Sequence, residues 1–316
     1  MPPRPVRISS KTLPCRATWA LLTEPVAIGI IRILSDIHFG EPASRVRSLA
    51  ALRPLFAGAD RIVFNGDSLE TRYRPSRRMD HLRRHFQEFV RSETPPIVLL
   101  TGNHDADISA IHHLDLLGGL VFVTHGEILF DDLVPWSPEQ PQICALYREQ
   151  LAALPAAERE LFEPRLAACK RACAQLRLPH DAPPRKPWGR TMHTARKFWP
   201  PGRTLAMVRA WRELPERAAI YVRRHRPRAR FAVVGHTHLP GVWFRQDIVV
   251  INTGSFCPPF ASYVVDISPE QVVVRRVRRY QGRYHPGRVV ASFALAPASD
   301  GSVGSSNTFP EFVPAP

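Results

Sequence analysis

Six short apolar runs along the chain end in polar or glycine residues. They are residues 30–34, 61–64, 97–100, 120–123, 231–234 and 248–251. Runs of this length, rich in β-branched side chains and bounded by turn residues, are typical of strands buried on both faces. Residues 262–267 and 271–277 are predicted to pair as a further hairpin across residues 268–270. Because a helical span at 75–91 lies between two early strands, the pattern predicts an α/β fold.

The segment from about 127 to 230 interrupts this series of strands. Its residues 142–178 and 204–224 are predicted to be helical, with a proline-rich break at 179–187 between them. We interpret the segment as a helical insertion, or cap, within one domain that spans residues 28–290. Residues 1–27 are predicted to be a flexible N-terminal segment, and residues 291–316 a disordered tail.

The net charge of +15 reflects an excess of arginine. Such an excess favours a phosphorylated substrate, an anionic membrane surface or nucleic acid as a partner. Residues 185–230 hold 14 Lys or Arg residues against two acidic ones. Among them stand five aromatic residues, Trp188, Phe198, Trp199, Trp211 and Tyr221. This mixture fits a solvated cap, a membrane interface or a surface for single strands, and the sequence alone leaves all three open.

Cysteine usage and hydropathy indicate the compartment. The five cysteines form no CxxC pair and lack the dense spacing of secreted scaffolds. No apolar run reaches the roughly 18 residues that a membrane span requires. We therefore expect a cytoplasmic protein, or one attached peripherally to the inner face of the membrane.

Residues that can bind metals follow five of the predicted strands, where each strand ends. In chain order they are Asp36, His38, Asp67, Asn103, His125, His236 and His238. The carboxyl ends of strands in open α/β sheets are where such folds place their sites. Carboxylate, amide and imidazole ligands without cysteine suit Mn²⁺, Fe or Zn²⁺ and argue against a closed structural zinc site. Each motif is common alone, but five in order predict one metal site.

The order DxH, GD, GNHD, H and GHxH resembles that of the calcineurin-like metallophosphoesterase superfamily, over residues 31 to about 267 apart from the insertion. The resemblance implies a two-sheet β-sandwich flanked by helices and two divalent ions, with manganese preferred over iron or zinc. It implies that one carboxylate, Asp67, bridges the two ions. One ion would be held by Asp36, His38, Asp67 and His238, and the other by Asp67, Asn103, His125 and His236.

Two such ions can hold a shared hydroxide that attacks phosphorus in line with the leaving group. His104, beside the ligand Asn103, is predicted to protonate the leaving group, with Asp105 orienting its ring. Four arginines that follow Asp67 are predicted to contact phosphate, with a solvated charge run as the alternative: Arg72, Arg74, Arg77 and Arg78.

Three details narrow the substrate. They are an acid at Glu70, the sequence HGE at residues 125–127 and the sequence GHTHLP at residues 235–240. In these details the chain resembles the UDP-2,3-diacylglucosamine diphosphatases of lipid A synthesis. This resemblance implies a lipid-linked nucleotide as substrate, under a helical lid. The chain departs from that group at His104, where the group usually carries arginine. A nuclease or nucleotide phosphodiesterase is the alternative, and a metal-binding scaffold without catalysis is a third hypothesis.

Overall fold

A computed structural model describes residues 29–179 and 201–295, together with the backbone of residues 312–314. The predictions for residues 1–27 and for most of the proline-rich break lie outside the described residues. Trp188, Phe198 and Trp199 lie outside them as well.

Twelve strands are described. In chain order they are β1 (Ile31–Leu34), β2 (Arg61–Asn65), β3 (Ile97–Leu100), β4 (His113–Leu116), β5 (Val121–Thr124), β6 (Phe231–Val234), β7 (Gly241–Arg245), β8 (Ile248–Asn252), β9 (Tyr263–Ile267), β10 (Gln271–Tyr280), β11 (Arg283–Ala294) and β12 (Phe312–Pro314). All six apolar runs form strands, and the predicted hairpin is β9 and β10.

The strands form two sheets. The first has the order β12-β11-β10-β9-β1-β2-β3, in which β1, β2 and β3 run parallel and the other pairs are antiparallel. The second has the order β4-β5-β6-β8-β7, with a parallel centre of β5, β6 and β8. The four longest helices are α1 (Arg77–Ser92), α2 (Gln140–Ala152), α3 (Phe162–Gln175) and α4 (Pro201–His225).

Alternation of side chains along the strands explains the layers. In the first sheet, Ile33 and Val63 face a core shared with Val123 and Val233 of the second sheet. Their neighbours Leu34, Ile62 and Phe64 face the opposite way and pack against Phe86 and Phe89 of α1. Because successive side chains point to opposite faces, a strand apolar throughout must be covered on both sides. The predicted two-sheet sandwich flanked by helices is confirmed.

The inserted helices cover the outer face of the second sheet. Leu166 of α3 and Leu214 of α4 are buried in one cluster with Phe122, Ala232 and Val250 of that sheet. The helix predicted at 142–178 is divided into α2 and α3, and Pro155 lies in the break. These helices therefore form one of the two helical layers that flank the sandwich.

The predicted start of the tail at residue 291 is wrong. Strand β11 continues to Ala294 because Ala291 and Phe293 are buried in the core between the sheets. Residues 312–314 then pair with β11 as an antiparallel edge strand. In the described part of the chain, no helix is both long and apolar enough to cross a membrane.

Candidate metal centre

The carboxylate of Asp67 lies where the strand ends of both sheets meet. Its Oδ2 atom faces three imidazole Nε2 atoms, at 3.3 Å for His125, 3.7 Å for His38 and 3.8 Å for His104. Its Oδ1 atom accepts a hydrogen bond of 2.8 Å from the backbone N–H of His104. One carboxylate thus contacts residues that follow β1, β3 and β5.

Asp36, His38 and His238 form one side of this cluster. Oδ1 of Asp36 lies 3.2 Å from Nε2 of His238 and 3.7 Å from Nε2 of His38, and the two Nε2 atoms are 3.0 Å apart. Together with a carboxylate oxygen of Asp67, one donor atom from each residue lies within 4.8 Å of the others. Two carboxylates and two imidazoles at this spacing can hold one divalent transition-metal ion.

Asn103, His125 and His236 form the other side. The rings of His125 and His236 have centroids 5.3 Å apart, and Oδ1 of Asn103 lies 2.9 Å from Nδ1 of His236. Nε2 of His236 lies 2.8 Å from the carbonyl oxygen of Leu133. Burial, with the charge on His125, lowers the pKa of His236 to about 4, so the ring is neutral and has one N–H. If that N–H donates to Leu133, Nδ1 and the amide oxygen of Asn103 face each other as two lone-pair donors, as they would around a cation.

Unpaired buried atoms also fit metal ions. Oδ1 of Asp36 and Nε2 of His125 are fully buried and form no hydrogen bond of good geometry with the described residues, although His238 and Asp67 lie 3.2 and 3.3 Å from them. Leaving a buried polar atom unpaired costs about 1–3 kcal/mol. Divalent ions beside these atoms would remove that cost, so the residues present fit the two-ion centre that the family resemblance implies.

The backbone at the centre is strained in a consistent way. Five of the predicted ligands have positive φ: Asp36 (53°), His38 (49°), Asp67 (50°), His236 (69°) and His238 (63°). Such conformations cost of order 1–3 kcal/mol each outside glycine, and they cluster at functional sites. The strain turns side chains at the strand ends toward one point.

Glycines make room for the ligands at two of these turns. Gly66 has φ of 80°, and a Cβ there would lie 2.6 Å from the ring of His125. A Cβ on Gly102 would collide with the carboxylate and backbone nitrogen of Asp67. The two glycines therefore allow the ends of β2, β3 and β5 to approach closely.

The histidines keep the buried carboxylates ionised. Burial raises the pKa of Asp67, but the charges of His125 and His104 outweigh it and hold that pKa well below the usual range. Burial lowers the pKa of His125, and the charges of Asp67 and Asp36 outweigh it and raise that pKa to about 10. Carboxylates bind cations in this charged form, whereas imidazole binds them only when neutral, so an ion that binds here would displace the proton from His125.

His104 is oriented by Glu70 rather than by its sequence neighbour. Nδ1 of His104 lies 2.6 Å from Oε2 of Glu70. The guanidinium of Arg72 donates to both oxygens of Glu70, each over 3.1 Å. Burial raises the pKa of Glu70, but the charges of Arg72 and His104 outweigh this effect. The net result is a lowered pKa, so the carboxylate stays ionised. Nε2 of His104 is left facing Asp67.

The prediction that Asp105 orients the ring of His104 is wrong. Both oxygens of Asp105 accept backbone hydrogen bonds of 2.7–3.1 Å, from the N–H groups of Gly102, Asp67, Ser68 and Leu69. Burial, together with the charge of Asp67, raises the pKa of Asp105 to about 6. Asp105 therefore joins the turn after β3 to the turn after β2.

The four arginines predicted to contact phosphate are separated by the structure. Arg72 is largely buried and forms an ion pair with Glu70, which in turn contacts His104. Arg74, Arg77 and Arg78 are exposed at and just before the start of α1. Only Arg72 is thus linked to the centre by described contacts.

A buried ion pair that the sequence did not indicate lies beneath the centre. Nζ of Lys170, on α3, contacts the carboxylate of Glu127. It also donates a hydrogen bond of 2.6 Å to the carbonyl oxygen of Thr101. Burial lowers the pKa of Lys170, but the charge of Glu127 outweighs it and raises that pKa. Because Glu127 is two residues after His125 and Thr101 is two before Asn103, α3 is tied to both ligand turns.

The middle of α4 contacts the centre through Trp211. Nε1 of Trp211 donates a hydrogen bond of 2.8 Å to the carbonyl oxygen of Thr237, which lies between the predicted ligands His236 and His238. The ring of Trp211 packs edge-on against Phe260, whose centroid is 6.0 Å from that of His238. Trp211 is therefore the one predicted cap aromatic whose described contacts include the GHTH turn.

Comparison with known proteins identifies the family. The family model described as calcineurin-like phosphoesterase matches residues 30–240, which include every predicted ligand. No curated protein matches the chain.

Several solved structures resemble the chain at low identity. A predicted phosphoesterase of Streptococcus pneumoniae is 15% identical, with 84% of this chain and 98% of that chain covered and a TM-score of 0.35. The E. coli phosphoesterase Yfce is 16% identical, with 78% and 92% covered and a TM-score of 0.33. A dimetal phosphatase of Danio rerio is 9% identical, with 79% and 96% covered and a TM-score of 0.38. The assignment rests on the sequence match, which spans more than half of the chain. The chain belongs to the calcineurin-like phosphoesterase family and is a metal-dependent hydrolase of phosphoester bonds.

Proposed function

We propose that the chain hydrolyses a phosphoester or pyrophosphate bond at a centre of two divalent ions that share Asp67. The convergence of three imidazole nitrogens on Oδ2 of Asp67 is the observation that carries this proposal. Asp36, His38 and His238 would complete one ligand set, and Asn103, His125 and His236 the other. Manganese is the ion we expect, since it suits carboxylate, amide and imidazole ligands together.

The residues around the ions have separate tasks. Two divalent ions supply a nucleophile by lowering the pKa of water and neutralise the charge on the phosphoryl oxygens. His104 carries the leaving-group proton or stabilises the charge that develops there, because its Nε2 faces the centre. Glu70 keeps Nδ1 of His104 protonated, so the proton that passes to the leaving group is the one on Nε2 of the charged ring, and Arg72 holds Glu70 in place. A general acid or base of this kind contributes about 10²–10⁴ in rate.

A lipid-linked nucleotide, such as a UDP-sugar lipid, is the substrate that we rank first. At the start of α4, Leu205 has 70% of its surface exposed, on the helix whose Trp211 contacts the GHTH turn. An apolar side chain among arginines fits an interfacial substrate at an anionic membrane surface. This part of the proposal also gives the protein a peripheral position on the inner face of the membrane.

Nucleic acid is the second candidate, because the hairpin of β10 and β11 is strongly basic. Its exposed arginines include Arg276, Arg278, Arg279 and Arg283. A basic ribbon of this kind can follow a phosphate backbone, and binding through it would weaken steeply with added salt.

A substrate panel with Mn²⁺ tests the proposal. It comprises an aryl phosphate, an aryl phosphodiester, a UDP-sugar lipid and single-stranded DNA, each with the wild type and with Asp67→Asn. We expect hydrolysis that Asp67→Asn abolishes, fastest on the UDP-sugar lipid. Fastest cleavage of DNA, with strong dependence on salt, would select the second candidate. Inactivity on all four, in protein shown to contain metal, would contradict the proposal.

A further inference from the structure

A second pocket lies beside the metal centre, between the loop that follows β8 and the hairpin of β10 and β11. Its volume is about 180 Å³. At about 30 Å³ per water molecule in the liquid, this is room for roughly six waters or one small polyatomic group. Phe256 and Phe260 line one part, and Val277 and Tyr284 line another.

Three arginines with no acidic partner line this pocket. Arg45, Arg276 and Arg279 are exposed, and none of them forms an ion pair or a side-chain hydrogen bond with another residue in the described ranges. By contrast Arg32, on the same sheet, is bound by Asp266 through two hydrogen bonds. The guanidinium of Arg279 lies over the ring of Tyr284, 5.9 Å from its centroid. Guanidinium groups form planar, bidentate bonds with phosphate and carboxylate, so three of them without an acidic partner around one cavity favour an anion.

Tyr284 forms the inner wall of the pocket. It is only 4% exposed and belongs to the buried cluster behind the pocket, where its ring packs edge-on against Phe256 with centroids 5.2 Å apart. Its hydroxyl has no hydrogen-bond partner among the residues described and is closed to solvent, so the three guanidinium groups are the donors that the pocket offers.

The pocket shares a wall with the metal centre. The hydroxyl of Ser255 and the backbone N–H of Phe256 both donate to the carbonyl oxygen of Asp36, over 3.2 and 3.1 Å. On the other side of the wall, Phe260 packs against His238. A ligand of two anionic groups could therefore place one at each site.

We propose that the pocket lined by Arg45, Arg276, Arg279 and Tyr284 binds a phosphate-like anion other than the group that is hydrolysed. The anion comes either from a second phosphate of the substrate or from free phosphate. Its role in substrate choice rests on the proposed function, whereas binding of the anion does not.

Calorimetry with inorganic phosphate and the metal-loaded protein tests the binding. The pocket variant is Arg45→Gln with Arg276→Gln and Arg279→Gln. The control variant loses the same charge at exposed positions that do not line the pocket, through Arg84→Gln, Arg91→Gln and Arg148→Gln. We expect a phosphate site in the wild type and the control that is weakened at least about tenfold in the pocket variant, since each charge-assisted bond contributes about 1.5–3 kcal/mol. Phosphate binding by the pocket variant that equals that of the control would overturn the proposal.

Tyr284→Phe tests whether the guanidinium groups alone hold the anion. The variant removes one hydroxyl that has no described partner and is closed to solvent, so we expect its thermal midpoint to stay the same or rise. Its affinity for phosphate should equal that of the wild type. A several-fold loss of affinity at unchanged stability would contradict the assignment of the anion to the three arginines.

Competitive inhibition distinguishes the two sources of the anion. Hydrolysis of a small aryl phosphodiester is measured with glucose 1-phosphate or glucose 1,6-bisphosphate as the inhibitor. A preference for the bisphosphate that the pocket variant loses assigns the pocket to a second phosphate of the substrate. If the two sugar phosphates inhibit equally while calorimetry shows phosphate binding in the pocket, the pocket is assigned to free phosphate. Turnover of the aryl phosphodiester should be the same in the wild type and the control variant. Absence of turnover in both would count against the proposed function alone.

Discussion

Oε2 of Glu70 lies 2.6 Å from Nδ1 of His104, and this contact fixes which nitrogen of the ring faces the metal centre. Because Arg72 holds Glu70 ionised, Nδ1 keeps its proton whether the ring is charged or neutral, so proton transfer takes place at Nε2. Nε2 then points toward Oδ2 of Asp67 at 3.8 Å, close to the reacting group without being a predicted ligand. A carboxylate that fixes a histidine tautomer in this way sets the ring's role in proton transfer.

Glu70→Gln should lower turnover without loss of metal. The amide removes the negative charge that fixes the tautomer of His104, and we expect kcat to fall about 10–100-fold, as for other residues that orient a functional histidine. Steady-state kinetics and elemental analysis check both parts. Glu88→Gln, at an exposed position of α1, is the control and should behave as the wild type. Full activity in Glu70→Gln would remove Glu70 from the mechanism.

His104→Ala should keep both ions and lose about 10²–10⁴ in turnover. The loss should be smaller for aryl esters with good leaving groups, because these need less protonation. A series of aryl phosphodiesters with different leaving-group pKa values measures this dependence. The same loss across the whole series would mean that His104 stabilises charge and transfers no proton.

Gly102→Ala should weaken metal binding. The added Cβ would collide with the carboxylate of Asp67, which must move away from the shared position. We expect Mn²⁺ affinity to fall at least about 10–100-fold. Gly202→Ala is the matched control, because a Cβ there meets no atom of the described residues within 4 Å. Equal Mn²⁺ affinities in calorimetric titrations of the two variants would show that Asp67 tolerates displacement.

Lys170→Met should destabilise the fold because it leaves the buried charge of Glu127 uncompensated. The expected loss in the free energy of unfolding is about 3–5 kcal/mol, and adding Glu127→Leu should restore much of it. Arg171→Met, at the exposed neighbour, should change stability by no more than about 0.5 kcal/mol. Urea unfolding measures all three, and a small effect of Lys170→Met would mean that water or other groups solvate Glu127.

The same ion pair predicts a dependence of stability on pH. The pKa of Lys170 is raised in the folded state above its ordinary value of about 10.4. Its contribution is therefore fully present below about pH 10 and is lost as the pH rises through the folded pKa. As the pH rises above about 10, the ordinary pKa of lysine, the wild type should lose more stability than the variant with both Lys170→Met and Glu127→Leu. Parallel curves for the two proteins would contradict this.

The sequence was sufficient to locate the strand ends and the residues that meet there. Apolar runs of four or five residues define β1, β2, β3, β5, β6 and β8, and parallel strands bring their carboxyl ends to one edge. Strands β4, β7 and β11 were missed because polar or aromatic residues interrupt their apolar pattern, as Asp115 does in β4.

Partners distant in sequence could not be assigned in the same way. Asp105 was given the role of Glu70 because it stands next to His104 in the chain, whereas its carboxylate turns toward the backbone after β2. The acid three residues after Asp67 was the available signal for Glu70. Lys170 carried no signal, because a lone lysine on a helix usually faces solvent and only the packing of α3 buries it.

The most direct test of the two-ion centre is the metal content of the protein after loading with Mn²⁺ and removal of free ions, measured by elemental analysis. The account predicts two ions per chain in the wild type, and fewer in Asp67→Asn, in which the shared carboxylate has lost its charge. A ceiling of one ion per chain in the wild type, or an unchanged content in Asp67→Asn, would contradict a centre in which Asp67 joins two ions.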